Sequence, residues 1–189
     1  TNSLNHAPVA VDDADSTAED TPLVRASSVY RANDGDPDSD PLTITAVSAP
    51  VNGSVSLVGT NITFTPTANF AGTAGFDYTV SDGALTDVGH VTITVTPVND
   101  PPIAADDEAS TSMDTDLVQA TSVYLANDTD VDSTLSIISA SGAGNGFVFL
   151  SGSTITFVPA SGFTGTAGFN YTVSDGTTTD TGHVTVIVN

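Results

Sequence analysis

This chain is written twice, and that repetition constrains its fold more than any other feature. Asn5-His6-Ala7-Pro8-Val9-Ala10-Val11-Asp12-Asp13 returns as Asn99-Asp100-Pro101-Pro102-Ile103-Ala104-Ala105-Asp106-Asp107, an offset of 94 residues. One residue is then lost from an Asp-rich loop. At the new offset of 93, Phe76-Asp77-Tyr78-Thr79-Val80-Ser81-Asp82-Gly83 falls on Phe169-Asn170-Tyr171-Thr172-Val173-Ser174-Asp175-Gly176. A period of this length can bury a core by itself, unlike the shorter units of solenoids. Two domains are therefore expected, residues 1–98 and 99–189. Their junction, Thr96-Pro97-Val98-Asn99-Asp100-Pro101-Pro102, has three prolines and no glycine, which favours an extended, stiff connection.

Within each copy the pattern alternates with period two. Leu42, Ile44 and Ala46 alternate with Thr43 and Thr45; Phe76, Tyr78 and Val80 share a face, as do Val91, Ile93 and Val95. Such alternation with β-branched residues marks half-buried strands. Turn chemistry lies between them at Asn52-Gly53, Gly59-Thr60-Asn61 and Asp82-Gly83. No helical period is visible. About seven short strands in each copy predict an all-β fold of two tandem immunoglobulin-like Greek-key sandwiches.

Charge narrows the partners. The 189 residues carry a formal net charge of −21; Lys is absent, and Arg25 and Arg31 stand against 23 carboxylates. Phosphate recognition needs Lys or Arg, so nucleic acid and anionic lipid are excluded as partners, whereas metal cations are favoured. With no Cys there are no disulfides, thiolate zinc sites or thiol nucleophiles. No run approaches the ~20 apolar residues of a membrane span. The chain opens Thr1-Asn2-Ser3 without Met and shows no signal peptide, as expected of a piece of something longer.

The carboxylates are not scattered. Asp34, Asp36, Asp38 and Asp40 occupy every second position of one loop, and Asp128, Asp130 and Asp132 repeat three of them. Calcium is held by several carboxylate and carbonyl oxygens, and an Asp-x-Asp-x-Asp loop supplies such donors on one short arc. The EF-hand pattern does not fit, because Thr45 stands where its twelfth-position Glu would be. Asp is also a common turn residue, so a solvated acidic turn is the plain alternative. Two carboxylates ~4 Å apart repel by about 1 kcal/mol in water and about 4 kcal/mol at an effective dielectric near 20. A convergent loop without a cation would thus strain a domain whose whole stability is roughly 5–15 kcal/mol.

In combination, Asn5-x-x-Pro8-Val9-Ala10-x-Asp12-Asp13, Glu19-Asp20-Thr21-Pro22-Leu23, Ala32-Asn33-Asp34-x-Asp36-x-Asp38, Phe76-x-Tyr78-Thr79-Val80-Ser81-Asp82-Gly83 and Val98-Asn99-Asp100-Pro101-Pro102 resemble the bacterial cadherin-like tandem repeats of large secreted RTX-type adhesins. The resemblance covers nearly all of both copies. It implies export by a type I system, an extracellular or cell-surface location, and calcium as the bound ion. By likeness to the cadherin pattern, Glu19, Asn99, Asp100, Asp128, Asp130 and Asp175 form one ligand set, and Asn5, Asp34, Asp36 and Asp82 an equivalent one at the front; Asp38 and Asp132 of the acidic loops are expected to join them as metal ligands. His6 replaces the Asp expected there, and Met113 stands at the position matching Glu19. Asp12, Asp13, Asp106 and Asp107 fit the family pattern without an assigned ligand role. Asp82-Gly83 and Asp175-Gly176 also read as plain turns.

Other features carry less. His90 and His183 alternate with inward-looking Val and Ile and are expected on the surface; no zinc-type His cluster exists. No nucleophile elbow or phosphate-binding Gly loop appears, so no enzymatic activity is expected. One asymmetry stands out: Ser54 and Ser56 become Phe147 and Phe149. Both rings should face outward unless a loop covers them or the register slips, and outward they would offer a contact patch. The leading functional expectation is a calcium-stiffened extender segment of a bacterial surface or biofilm adhesin, with neighbouring repeats as its partners. A calcium-dependent lectin using Tyr30, Tyr124, Phe147 and Phe149 against polysaccharide is the second, and binding of another cell-surface protein or self-association a third.

Overall fold

A computed structural model describes residues 4–189, so the first three residues of the expected first domain lie outside the described residues. The chain divides into two compact units, one ending at Val98 and the other running Asn99–Asn189. The first contains β1 (Asp13–Ala18), β2 (Leu23–Ala26), β3 (Thr43–Val51), β4 (Gly53–Val58), β5 (Asn61–Pro66), β6 (Gly72–Ser81) and β7 (Thr86–Thr96). The second repeats them as β8 (Asp107–Thr111), β9 (Leu117–Ala120), β10 (Ser136–Gly144), β11 (Gly146–Ser151), β12 (Thr154–Pro159), β13 (Gly165–Ser174) and β14 (Thr179–Val188).

Each unit is a sandwich of a four-stranded and a three-stranded sheet, ordered β1-β7-β6-β3 and β2-β5-β4 in the first, with the same order in the second. The long hairpin β6–β7 is antiparallel throughout, whereas β1 joins β7 in parallel, Asp13 opposite Val91. Residues alternating along the inner faces close the core: Phe76, Tyr78, Val80, Val91 and Ile93 are fully buried, and Phe64 stacks on Phe76 with ring centroids 6.0 Å apart. Phe157 and Phe169 repeat that stack at 5.8 Å. This burial holds the sheets together, at roughly 1.5–3 kcal/mol for each large side chain. The expected all-β, immunoglobulin- and cadherin-like architecture is what forms.

Two local expectations change. The alternation Leu42, Ile44, Ala46 breaks at a β-bulge: Ile44 pairs with Val80, but Ala46, not Thr45, pairs with Thr79. Two residues there oppose one, so the faces exchange; Ala46 is exposed and Val47 turns toward the core. Second, a single helical turn follows β2 at Ser27–Tyr30, repeated at Thr121–Tyr124. Four residues are too few to print a helical period, yet the turn drives Tyr30 and Tyr124 into the cores, 2% and 1% exposed. Neither ring is therefore available to a sugar.

The copies also differ at one sheet edge. In the first unit Arg25 Nε and Nη2 donate to the two oxygens of Asp15 at 2.7 and 2.8 Å, and Tyr30 Oη donates to Asp15 Oδ2 at 3.2 Å. Burial pushes the Asp15 carboxyl up, but Arg25 outweighs it and holds it below its ordinary value. The second unit has Ala109 and Gln119 in these places. Asp15→Ala should leave the buried Tyr30 hydroxyl without its acceptor and cost the first unit about 1–2 kcal/mol in urea unfolding. Asp15→Ala with Arg25→Gln should cost less than Asp15→Ala alone, because the unpaired guanidinium goes too.

Candidate metal centre

Acidic residues gather where the chain enters β1. In the first unit Val9 and Gly35 exchange backbone hydrogen bonds of 2.7 and 3.0 Å, laying the incoming segment along the Asp-rich loop. Asp34 Oδ1 accepts the Val11 N–H and the Tyr78 hydroxyl, each at 2.8 Å. Asp36 Oδ1 accepts the N–H groups of Asp38 and Asp40 at 2.7 and 3.1 Å, which curls the loop around it. As a result Asp36, Asp38 and Asp40 bring one carboxylate oxygen each to within 4.8 Å of one another. A cavity of about 360 Å³ opens beside them, lined by Arg31, Asp34, Asp36 and Asp40. Asp40 lies outside the ligand set drawn from the resemblance; the every-second-residue spacing is the signal that finds it.

The rest of the front set is split between two anchors. Asn5 Nδ2 donates to Asp82 Oδ2 at 2.9 Å, and Asp82 Oδ1 accepts the N–H groups of Ala84 and Leu85 at 2.6 Å. Those backbone donors, first Leu85 and then Ala84, hold the Asp82 carboxyl below its ordinary value. Asp82 thus serves the turn that its Asp-Gly dipeptide predicts. His6, where an Asp is expected, turns its N–H to Asp38 at 2.7 Å and its Nδ1 to the same carboxylate at 3.1 Å.

The second unit reproduces this plan with one residue fewer. Asn99 Nδ2 reaches Asp175 Oδ2 at 2.8 Å, and the Asp100 N–H reaches Asp132 Oδ2 at 3.4 Å. Asp128 Oδ1 accepts the Ala105 N–H at 2.8 Å and the Tyr171 hydroxyl at 3.0 Å. Asp130 Oδ1 accepts the N–H groups of Asp132 and Ser133. The Thr178 hydroxyl, then Asn99, hold the Asp175 carboxyl far below its ordinary value. With no counterpart of Asp40, this unit shows no three-carboxylate group of the same tightness among the described residues. Leu125 also replaces Arg31, removing the nearby positive charge.

Glu19 belongs to the first unit, beyond the far end of β1. It is 6% exposed, and its Oε1 accepts the Val98 N–H at 2.5 Å. The His expectation corresponds to ring hydrogen bonds on the outer face of each four-stranded sheet: His90 Nδ1 to Asp77 and His183 Nδ1 to Asn170, both 2.7 Å. Phe147 and Phe149 are 64% and 40% exposed, and β11 pairs with β12 without a shift, Phe147 opposite Val158. Neither a covering loop nor a register slip hides them.

A family model described as bacterial Ig domain matches residues 5–94 and again residues 99–187. The chain is a tandem pair of bacterial Ig domains. Domains of this family are typical of surface and secreted proteins, and among the described residues no helix is long and apolar enough to cross a membrane. Among solved structures, the first two extracellular cadherin domains of human protocadherin-24 superpose on this bacterial Ig pair with a TM-score of 0.56 at 16% identity, covering 97% of this chain and 98% of that one. That likeness supports the shared fold. An endo-fucoidan hydrolase of glycoside hydrolase family 107 matches at 20% identity over the whole chain with a TM-score of 0.40, the chain spanning 29% of its length. Four cadherin domains of protocadherin gamma B2 match at 16% identity with a TM-score of 0.43, over 97% of this chain and 52% of that one. No curated protein matches.

The bacterial Ig pair offers donors suited to calcium. Asp36 Oδ2 and Asp130 Oδ2 are buried without a hydrogen-bond partner. An acceptor held away from water and unpaired is the arrangement a cation relieves. The oxygen-only chemistry of the loops matches a hard divalent ion that takes about six to eight oxygens.

Proposed function

We propose that this bacterial Ig pair is a calcium-binding extracellular adhesion module, a stiff non-catalytic extender within a larger bacterial surface or biofilm adhesin. The observation that carries this reading is the Asp36–Asp38–Asp40 group, whose oxygens lie within 4.8 Å of one another beside a buried, unpartnered Asp36 oxygen. Calcium at the matching end of the second unit would also tie down Asn99 and Asp100, which already bond to Asp175 and Asp132. Those residues follow directly on Val98, so fixing them removes freedom from the connection between repeats. Resemblance to secreted adhesin repeats supports the location and the role. Small-angle scattering in millimolar calcium and in excess EGTA tests stiffening: interdomain mobility should fall in calcium, and superimposable profiles would reject the extender role.

A second reading, a calcium-dependent carbohydrate-binding pair, is favoured by one observation. Phe147 and Phe149 are exposed as a tilted pair with centroids 6.0 Å apart, on a strand whose first-unit counterpart carries Ser54 and Ser56. Adjacent exposed rings form a platform for the C–H faces of a neutral sugar, and the charge of −21 disfavours acidic glycans. Polysaccharide titration should then show binding that Phe147→Ser with Phe149→Ser abolishes. Full binding by that variant would rule the platform out.

A further inference from the structure

We propose that this bacterial Ig pair self-associates through one edge of its second unit, β11 of one copy pairing antiparallel with β11 of another. The inference goes beyond the extender role and needs no calcium. It gives to a second copy the two rings that the carbohydrate reading gives to a sugar, and the size of the protein in solution tells the two apart.

Pairing register shows what the outer face of the three-stranded sheet carries. Phe147 stands opposite Val158, and Phe149 opposite Thr156, which in turn stands opposite Val118. The residues between them, Val148 and Phe157, are buried in the core, so these five share the face turned away from it. On the corresponding strands the first unit has Ser54 opposite Thr65 and Ser56 opposite Thr63. Three polar residues, Ser54, Ser56 and Thr65, are thus replaced together by Phe147, Phe149 and Val158. Thr156, between Phe149 and Val118, is left 9% exposed, while the rings themselves stay 64% and 40% exposed with centroids 6.0 Å apart. Exposed hydrophobics scattered singly need no explanation, but a contiguous group marks a contact surface.

The strand that carries the rings is also open along one side. β11 stands at the edge of the order β11-β12-β9, and among the described residues no strand pairs with its far side. Natural edges are blunted by charged side chains, proline or a bulge. β11 has no charged residue and no proline, and it pairs with β12 without a shift. In the first unit β4 is an edge of the same length, but it presents Ser54 and Ser56 instead of rings.

Charge identifies the occupant. The chain has 23 carboxylates and two arginines, and none of them lies on β9, β11 or β12. Two copies with a net charge of −21 repel wherever carboxylates face one another, and along these strands none do. A cationic partner finds nothing here to hold, whereas a second copy brings the same uncharged, apolar strand. A two-fold axis needs only such a self-complementary patch. Pairing centred on Val148 sets Phe147 of each copy opposite Phe149 of the other, with all four rings on the outer face, where cross-strand aromatic pairs are favourable. Sugar sites add polar groups that fix orientation, and Val118, Val158 and the covered Thr156 supply little of that kind. A six-residue strand pair is about 20 Å long and buries far less than the ~800 Å² per partner of a standard interface. The contact is therefore weak and reversible, and it strengthens where many copies are held close together.

Sedimentation equilibrium of the full chain from micromolar to millimolar concentration, in calcium and in EGTA, tests the proposal. A reversible monomer–dimer equilibrium is expected in both buffers, and raising the salt from about 0.05 to 0.5 M should tighten it several-fold by screening like charges. Phe147→Ser with Phe149→Ser, which installs the residues of the first unit, should weaken association at least about tenfold. Amide hydrogen exchange within Gly146–Ser151 should slow at millimolar concentration, while Gly53–Val58 on β4 should be unchanged. A parent chain that stays monomeric throughout, a variant that associates as strongly as the parent, or association without slowed exchange in β11 overturns the proposal. Dimers seen only in calcium overturn it too and assign the contact to the acidic loops. A monomeric parent that binds neutral polysaccharide through these rings leaves them to the carbohydrate reading instead.

Discussion

Moving the chain from saturating calcium into excess EGTA is expected to lower the melting temperature of each unit by roughly 10–20 °C. A ligand present at about 100 times its dissociation constant stabilises the native state by about 2.7 kcal/mol per site. In a domain of this size each kcal/mol moves the midpoint by roughly 4–8 °C. The effect is large because two terms act together. Calcium adds its own binding energy, and it relieves repulsion among carboxylates that the fold holds in place by backbone hydrogen bonds, as at Asp36 and Asp130. The second unit should respond at least as strongly as the first, because Leu125 stands where Arg31 supplies a nearby positive charge. Differential scanning calorimetry in the two buffers checks this. A shift within a degree or two in both units would mean that the carboxylates do not share an ion.

The second large effect is expected from a residue that carries no side chain at all. Gly89 lies against the ring of Tyr78: a Cβ there would stand 2.5 Å from Tyr78 Cζ, and Gly182 is pressed in the same way against Tyr171. Gly89→Ala must therefore displace a fully buried ring whose hydroxyl holds Asp34 at 2.8 Å. Overpacking of this kind costs about 1–3 kcal/mol, and a lost hydrogen bond to a charged group adds about 1.5–3 kcal/mol. The sum, about 2.5–6 kcal/mol in urea unfolding, is enough to unfold a marginal domain. Calcium affinity should weaken with it, since the Asp34 carboxylate loses the phenol that orients it. Gly35→Ala is the control, because nothing lies within 4 Å of a Cβ at that position and the change should stay within about 0.5 kcal/mol. Equal losses at Gly89 and Gly35 would contradict the steric account.

What the sequence discloses and what it withholds follow from the range of the interactions. The repeat, the sandwich and the period-two strands are local patterns, and Phe76, Tyr78 and Val80 could be placed in the core from spacing alone. The bulge at Thr45 could not, because nothing in Leu42–Val47 marks which residue is extra. Tyr30 and Tyr124 read as free aromatics because a one-turn helix leaves no periodic signature. At the candidate site the Asp34–Asp40 and Asp128–Asp132 loops are legible in their spacing. The seating of those loops is not: it depends on the bridges Val9–Gly35 and Ile103–Thr129, which join segments far apart in the chain. The Gly89–Tyr78 contact is hidden for the same reason, since a glycine in a strand does not announce which ring lies over it. The Phe147 and Phe149 asymmetry was visible only because a second copy of the strand serves as its own reference.

The central claim is that these acidic loops hold calcium. Isothermal titration of the metal-free chain with calcium, repeated on a variant carrying Asp36→Asn and Asp130→Asn, tests it most directly. The account predicts saturable binding at both units in the parent chain and loss of binding at both in the variant. A flat titration of the parent chain, or equal binding by the two proteins, would contradict it.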